Sequence, residues 1–269
     1  MRVILVVVLV CVLLSLCTQS MSPEEIRQKA IESSKNIETC RFKMTMKAEI
    51  SFSNDSKVVR SSMISNVNGA YDFVNRRVYM KMVSTMSSPE ESLQIESESY
   101  LMNDTMYMKM KFPNGTCRWV KTEVKDEAWN RSNQIKQQVD LLKISEVERL
   151  PDERVNGTDC YVLELKPDLD RFVEYMVKSG QQIPQNVSLL KEMLKEVKVR
   201  EWIAKDTFYP IKTEMRIVME MPMSLSIGSL KRSLSMRQVM NMTIELYDIN
   251  EPVNIELPSD AESAILIQS

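Results

Sequence analysis

From Met215 to Met223 every second residue is methionine, with Ile217 the one exception. A β-strand sends alternate side chains to opposite faces, so Met215, Ile217, Met219, Met221 and Met223 line one face of a sheet, and Glu220 points the other way. The pattern recurs at Met44 and Met46, at Val78, Met80 and Met82, at Met106, Met108 and Met110, and at Met240, Met242, Ile244 and Leu246. Several strands therefore share one soft apolar face. Thioether side chains adapt to irregular partners and are over-used on binding surfaces, whereas a core that packs only against itself more often uses Leu, Ile and Val. The expectation is an apolar ligand. A methionine-rich core without any ligand fits the same alternation.

With 269 residues, 43% hydrophobic and 27% charged, the chain is long enough to bury a substantial core and ordinary enough to fold. Its 35 basic and 37 acidic residues leave a net charge of -2. Nucleic acid is not an expected partner, because phosphate backbones select a basic excess. Val3 to Leu16 is almost wholly apolar behind a single Arg2, the pattern of a secretory signal. It is shorter than the roughly 20 apolar residues that span a bilayer. Export is predicted, with residues 1–20 as a signal peptide or lipoprotein signal and residues 21–269 as one ligand-binding domain. Leu14-Ser15-Leu16-Cys17 resembles a lipobox, although Leu16 stands where a small residue is usual. Lipidation of Cys17, cleavage between Cys17 and Ser20, and retention of the apolar segment as a membrane anchor all remain open.

Seven of the fourteen asparagines lie in Asn-x-Ser/Thr sequons: Asn54, Asn103, Asn114, Asn130, Asn156, Asn186 and Asn241. Chance would give about two, so a glycosylated outer surface is expected, of an archaeal cell or a eukaryotic secretory route rather than a bacterial periplasm. Beyond the signal lie Cys40, Cys117 and Cys160. Cys117 and Cys160 each follow an Asn-Gly-Thr turn and each open a strand, which predicts a disulfide between them outside the cell. Three buried thiols packing as small hydrophobes are the alternative. No CxxC occurs, so zinc-ribbon and dithiol redox readings lose their support.

Ser22-Pro23-Glu24-Glu25 starts a helix that runs to about Asn36. From Arg41 to Thr122 strand-like runs alternate with turn chemistry, Asn54-Asp55-Ser56, Asn68-Gly69, Asn75-Arg76, Asn103-Asp104 and Pro113-Asn114-Gly115, at the spacing of an antiparallel meander. Lys125 to Lys143 favours helix. A strand from Cys160 to Lys166 precedes a helix capped by Asp168, with Phe172, Val173 and Met176 on its apolar stripe and Gly180 at its end. A further helix is predicted from Asn186 to about Val197. Strands follow at Val199 to Ala204, Lys212 to Met223, Ser233 to Asp248 and Asn254 to Leu257. The class is α+β.

The chain has no histidine, which removes the commonest general base and most transition-metal sites. Its five glycines cannot assemble a phosphate loop. Glu96 with Glu98, or Glu214 with Glu220, offer carboxylate pairs, but alternating acids on a strand normally form a solvated face. No enzyme, cofactor or metal is expected.

Three stretches together resemble the LolA-like superfamily of lipoprotein and lipid carriers, which includes LppX-type lipid-binding lipoproteins and the N-terminal domain of RseB. They are the N-terminal meander behind one helix; the run Glu201-Trp202-Ile203-Ala204-Lys205-Asp206-Thr207-Phe208-Tyr209-Pro210-Ile211-Lys212; and Tyr247-Asp248-Ile249-Asn250-Glu251-Pro252-Val253 followed by Ile255-Glu256-Leu257-Pro258 and Ala261. The resemblance implies a strongly curved antiparallel β half-barrel whose concave apolar face is covered by helices and receives acyl chains. It implies as partners a lipid or acylated protein and a membrane reached through the N-terminus, with an RseB-like sensory or interaction module as the alternative. The predicted ligand-facing residues are Met44, Met46, Met80, Met82, Met108, Met110, Met215, Ile217, Met219, Met221, Met240 and Met242 from the alternating strands, Phe172 and Met176 from the helix, and Trp202. The carriers' basic residue at the ligand entrance has no placed counterpart here.

Overall fold

The computed structural model describes residues 21–53, 58–111, 115–124, 129, 132–178, 187–227 and 230–267. Cys17 and the sequon residues Asn54, Asn114, Asn130 and Asn186 lie outside them, as do the predicted Asn54-Asp55-Ser56 turn and Gly180.

Among the described residues four α-helices, α1 (Pro23–Ser33), α2 (Gln134–Lys143), α3 (Leu169–Lys178) and α4 (Val187–Met193), accompany an open, curved antiparallel sheet. Its strands are β1 (Thr39–Ser53), β2 (Val58–Asp72), β3 (Arg77–Ser87), β4 (Ser92–Met102), β5 (Thr105–Lys111), β6 (Cys117–Glu123), β7 (Ser145–Val155), β8 (Thr158–Pro167), β9 (Leu194–Ala204), β10 (Pro210–Ile227), β11 (Leu230–Tyr247) and the short β12 (Ile265–Leu266). Their order is β12-β6-β5-β4-β3-β2-β1-β11-β10-β9-β8-β7, with only β12 and β6 parallel. Two meanders, β1 to β6 and β7 to β11, are thus sewn together where the first long strand meets the last, Arg41 opposite Tyr247 through Ser53 opposite Ser235. This is the α+β half-barrel that the sequence implies.

Local chemistry sets the helix ends. Ser22 and Glu25 form the reciprocal capping box, with Ser22 Oγ accepting from the Glu25 amide at 3.2 Å and Glu25 Oε2 accepting from the Ser22 amide at 2.8 Å. Asn133 caps α2 by accepting from the Lys136 amide, and Asp168 caps α3 by accepting from the Arg171 amide, each at 2.9 Å. Ile26 and Ala30 of α1, Leu141 and Leu142 of α2, and Phe172 and Met176 of α3 pack in one core with Leu163, Leu165, Val199, Ile203, Met215, Ile217 and Met219. The helices therefore lie over the concave face of β8 to β10. On the convex face the chain after β11 straps Val253, Ile255, Leu257, Ala261 and Ala264 over Tyr79, Tyr100, Tyr107 and Trp119, and ends as β12.

Several sequence expectations change. Leu194 to Val197 continue β9 instead of the preceding helix, and Asn254 to Leu257 belong to the convex strap instead of a strand. Strand β7 has too many charges to show an apolar face in sequence; it is an edge strand whose outward residues stay in water. Cys117 and Cys160 are free thiols, as is Cys40. The predicted bridge fails because β5, β4, β3, β2, β1, β11, β10 and β9 intervene between the strands that carry them, β6 and β8. Cys117 is exposed and Cys160 buried. Burial pushes the Cys40 thiol up to about 12, which keeps it an inert small hydrophobe.

Asn68-Gly69 is not a turn. Gly69 sits inside β2, opposite Phe42 on β1 and Met80 on β3. A Cβ there would collide with the Phe42 ring and with the Tyr79 carbonyl oxygen, and the latter is backbone that cannot step aside. Phe42 in turn stacks on Tyr71, ring centroids 4.9 Å apart, in the core of the first meander. Gly69→Ala is expected to cost about 2 kcal/mol or more and lower the thermal midpoint by several degrees, whereas Gly157→Ala, with open space around it but φ of +91°, should cost only about 1 kcal/mol. Thermal unfolding of the two variants followed by circular dichroism checks the ranking.

Candidate functional site: the concave methionine face

The register turns the separate methionine ladders into continuous rungs. One runs Val199, Met215, Met242, Met46, Ser65, Ser84, Ile95 across β9, β10, β11, β1, β2, β3 and β4. The next runs Glu201, Thr213, Ile244, Met44, Val67, Met82, Ser97, Met110. Beyond it Leu246, Phe42, Gly69, Met80, Ser99 and Met108 align. On the other side come Val197, Ile217, Met240, Ala48, Met63, Met86, Leu93, then Leu194, Met219, Gln238, Ile50, Ser61, and last the pairs of Met221 with Met236 and Phe52 with Val59. Every strand methionine of the expected ligand set thus shares one face.

That face divides in two. Met215, Ile217 and Met219, with Phe172 and Met176 of α3, are buried under the helices, and Met219 is 6% exposed. They form core. Met44, Met46, Met80, Met82 and Met108 are half-buried; Met44, Met80 and Met82 pack against a second core to which Ile135 of α2 belongs, and the small residues Ser65 and Ser84 lie between the methionines of β1, β2 and β3. Ser65 and Ser84 bond to each other through their hydroxyls, one donating and the other accepting. Met240 and Met242 lie at the boundary and touch the helix-covered core. Met221 is half-buried at the far ends of the strands, where a groove of about 1340 Å³ opens between β1, β2, β10, β11 and α4. Ile50, Met221, Met236 and Met193 contribute its apolar wall.

Trp202 is on the wrong face for a ligand in the concavity. Parity in β9 gives Val199, Glu201 and Ile203 to the concave side and Trp202 to the convex one, where it packs on Cys160 and Val162. Its indole N–H donates to the Glu153 carboxylate at 2.9 Å, and the Lys212 ammonium sits 4.2 Å from the ring centroid. Asn241 is exposed on the convex side beside Arg216, and Asn103 and Asn156 are exposed in turns, all open to modification.

The residue that sequence reading missed is Glu201. It is 0% exposed on the concave face, in phase with Val197, Val199 and Ile203, and that phase was the available signal. Thr213 Oγ1 donates to Glu201 Oε1 at 3.2 Å and accepts from Gln138 Nε2 of α2 at 2.8 Å. Glu201 Oε2 and Gln138 Oε1 are buried without a partner. Desolvation pushes the Glu201 carboxyl up to about 8 from an ordinary 4.5, opposed by the Thr213 hydrogen bond. Burial, then the Asp140 and Glu201 carboxylates, raise Tyr175 of α3 as well. This polar trio lets α2 sit on the sheet while Glu201 is neutral.

Because the folded carboxyl holds its proton more tightly than the unfolded one, the folded state binds more protons between pH 4.5 and about 8, and stability falls as pH rises through that window. Below it both states are protonated, and above it both are ionised, so the curve levels. Glu201→Gln, which keeps the shape and stays neutral, is expected to flatten this slope in urea titrations across pH 5 to 9. An unchanged slope would assign it to other groups.

Among the described residues no group of three or more Cys, Asp and Glu side chains is placed to hold a metal ion. Among curated proteins none matches the sequence. Solved structures that resemble the chain include LprF from Mycobacterium bovis, 12% identical over 88% of this chain and 98% of that one, TM-score 0.44. A putative outer membrane lipoprotein-sorting protein domain from Vibrio parahaemolyticus is 14% identical over 90% and 98%, TM-score 0.26. The Pseudomonas aeruginosa MucA/MucB complex supplies a chain 5% identical over 83% and 93%, TM-score 0.28. At these scores they bear on neither ligand nor partner here. Residues 22–265 match the family of unknown function DUF6612, and the chain belongs to that family.

Proposed function

We propose that this is an exported, membrane-associated binding protein that holds a lipid or lipoprotein acyl chain against the open half of the concave methionine face. Residues 1–20 direct export or anchor the chain, and residues 21–269 form one ligand-binding domain. The observation that carries the reading is the division of one methionine face: Met215 and Met219 are fully buried under the helices, while Met44, Met46, Met80, Met82 and Met108 keep part of their surface accessible, Met44, Met80 and Met82 beside Ile135 of α2. A monomeric fold seldom leaves so contiguous an apolar strip to water unless something covers it. The family resemblance points to the same ligand class.

Acyl chains suit such a surface because they ask for no hydrogen bond. Each buried methylene contributes about 0.8 kcal/mol, so a chain of some sixteen carbons binds well if even half of it is dried. Unbranched thioethers accept several chain positions and lengths, as a carrier of mixed lipids requires.

Native mass spectrometry of protein purified from its own membrane is expected to show a co-purifying lipid or acylated protein. An empty protein with a stable, non-acylated protein partner would instead establish the interaction-module alternative. Substitutions separate ligand surface from core. Met82→Gln is expected to remove most bound lipid and shift the thermal midpoint by only a few degrees, because the site is half-open. Met219→Glu should unfold the protein, costing several kcal/mol, while Glu220→Met on the exposed face loses only its pairing with Arg237 and under about 1 kcal/mol. Retained lipid in Met82→Gln overturns the assignment of the open face.

A further inference from the structure

Serine pairs join neighbouring strands through their hydroxyls at several places among the described residues: Ser53 with Ser235, Ser87 with Ser92, and Ser65 with Ser84. Such a pair holds two hydrogens and uses only one of them between its own oxygens. The first two pairs are exposed, and water takes the hydrogen left over. Ser65 and Ser84 differ. They are 2% and 6% exposed, and no other hydrogen bond to either is found among the described residues. Their spare hydrogen is a buried donor without an acceptor, the kind of group that native folds seldom leave unused.

Strand register puts this donor on the concave face, between Met46 of β1 and Ile95 of β4. Along their own strands the same-face neighbours are Met63 and Val67 on β2 and Met82 and Met86 on β3. All six are apolar, and none offers an oxygen. Met46, Met63 and Met82 are half-buried and Met86 is 47% exposed. Rotation of these unbranched thioethers is enough to uncover the hydroxyls to a molecule lying on the face.

The group that fits there is a neutral acceptor oxygen carried on hydrocarbon. A plain hydrocarbon leaves the donor unpaired, and an ether oxygen, flanked by two carbons, is a weaker acceptor than a carbonyl. An ionised fatty acid fits less well, because no cation stands among the six neighbours to replace the water that its carboxylate would lose. We propose that the Ser65–Ser84 pair is a polar anchor within the methionine face, donating its spare hydrogen to the ester carbonyl of a bound acyl chain and so selecting acyl esters over ether lipids and hydrocarbons of the same length. The inference rests on the acyl-binding reading and deepens it: methionines hold the hydrocarbon, and the pair fixes where the head of the chain stops. A site built to bond a polar group of its ligand rejects the analogue that lacks it, because the site's own group is then left unpaired.

Two lipids that share a glycerol head and chain length, 1-monopalmitoylglycerol and 1-O-hexadecylglycerol, differ in the carbonyl alone and test the anchor. Both are offered at equal concentration to the full chain stripped of lipid, and capture is read by native mass spectrometry. The ester is expected to be captured about tenfold more than the ether. Ser65→Ala and Ser84→Ala each leave one hydroxyl with a free hydrogen, so each is expected to keep most of the preference. The double variant has no donor and should take the two lipids within about twofold of each other. Exchanging both partners for apolar groups of nearly the same shape is close to neutral for the fold, which circular dichroism checks. The carbonyl stretch of ester labelled with carbon-13 should lie at lower frequency on the unaltered chain than in cyclohexane, a readout that needs no variant. An unshifted band, or a preference that survives the double substitution, overturns the anchor. Equal capture of ester and ether by the unaltered chain refutes the anchor and leaves the acyl reading standing. Capture of neither lipid refutes the acyl reading, and the anchor with it.

Discussion

Everything in this molecule depends on the antiparallel seam between β1 and β11. It joins residues more than half the chain apart, and it alone turns two meanders into one continuous concavity. The seam also fixes phase. A slip of one residue would send Met44 and Met46 to the convex side while Met240 and Met242 stayed within, so the alternation of apolar and charged residues along both strands enforces a single register. Lys43 opposite Glu245 and Lys47 opposite Asn241 on the outer side make the wrong phase costly as well.

One residue type serves two ends on the two halves of the sheet. Under α1, α2 and α3, methionine fills gaps between helices and strands that cross at irregular distances, and Phe172 and Leu142 complete the packing. On β1, β2, β3 and β5 it stands half-open with Ala48, Ser65 and Ser84 sunk between. Small residues beside long flexible ones make a surface that can deepen or fill as its neighbours change rotamer. Glu201 sets a limit to this pliability on the covered side: a neutral carboxyl bonded through Thr213 to Gln138 ties α2 to the sheet in one orientation.

The fold was largely legible because its strands alternate. Period-two patterns named β1, β3, β5, β10 and β11 and their inward faces, and the caps Ser22 and Asp168 named the starts of α1 and α3. Where the pattern was weak, the reading failed for physical reasons. Leu194 to Val197 carry a helical stripe, yet pairing with β10 outweighs propensity. Gly69 follows Asn68 as turn glycines do, but it was needed for the space beside Phe42. A disulfide drawn from two similar turns ignored strand order, which sequence spacing does not encode. The candidate site was half legible: its face followed from parity, while the split into covered and open halves depends on where the helices settle. Trp202 sits in the motif but faces outward by the parity of its own strand, which the motif does not show.

The open methionines also carry a chemical liability that their covered counterparts escape. A thioether takes up one oxygen atom to become a sulfoxide, polar and chiral, and accessibility governs how fast. Met82 and Met108 are accessible, whereas Met215 and Met219 are shielded by helices. An oxidant would therefore wet the concavity before it weakened the core, leaving a folded protein whose inner surface no longer favours hydrocarbon.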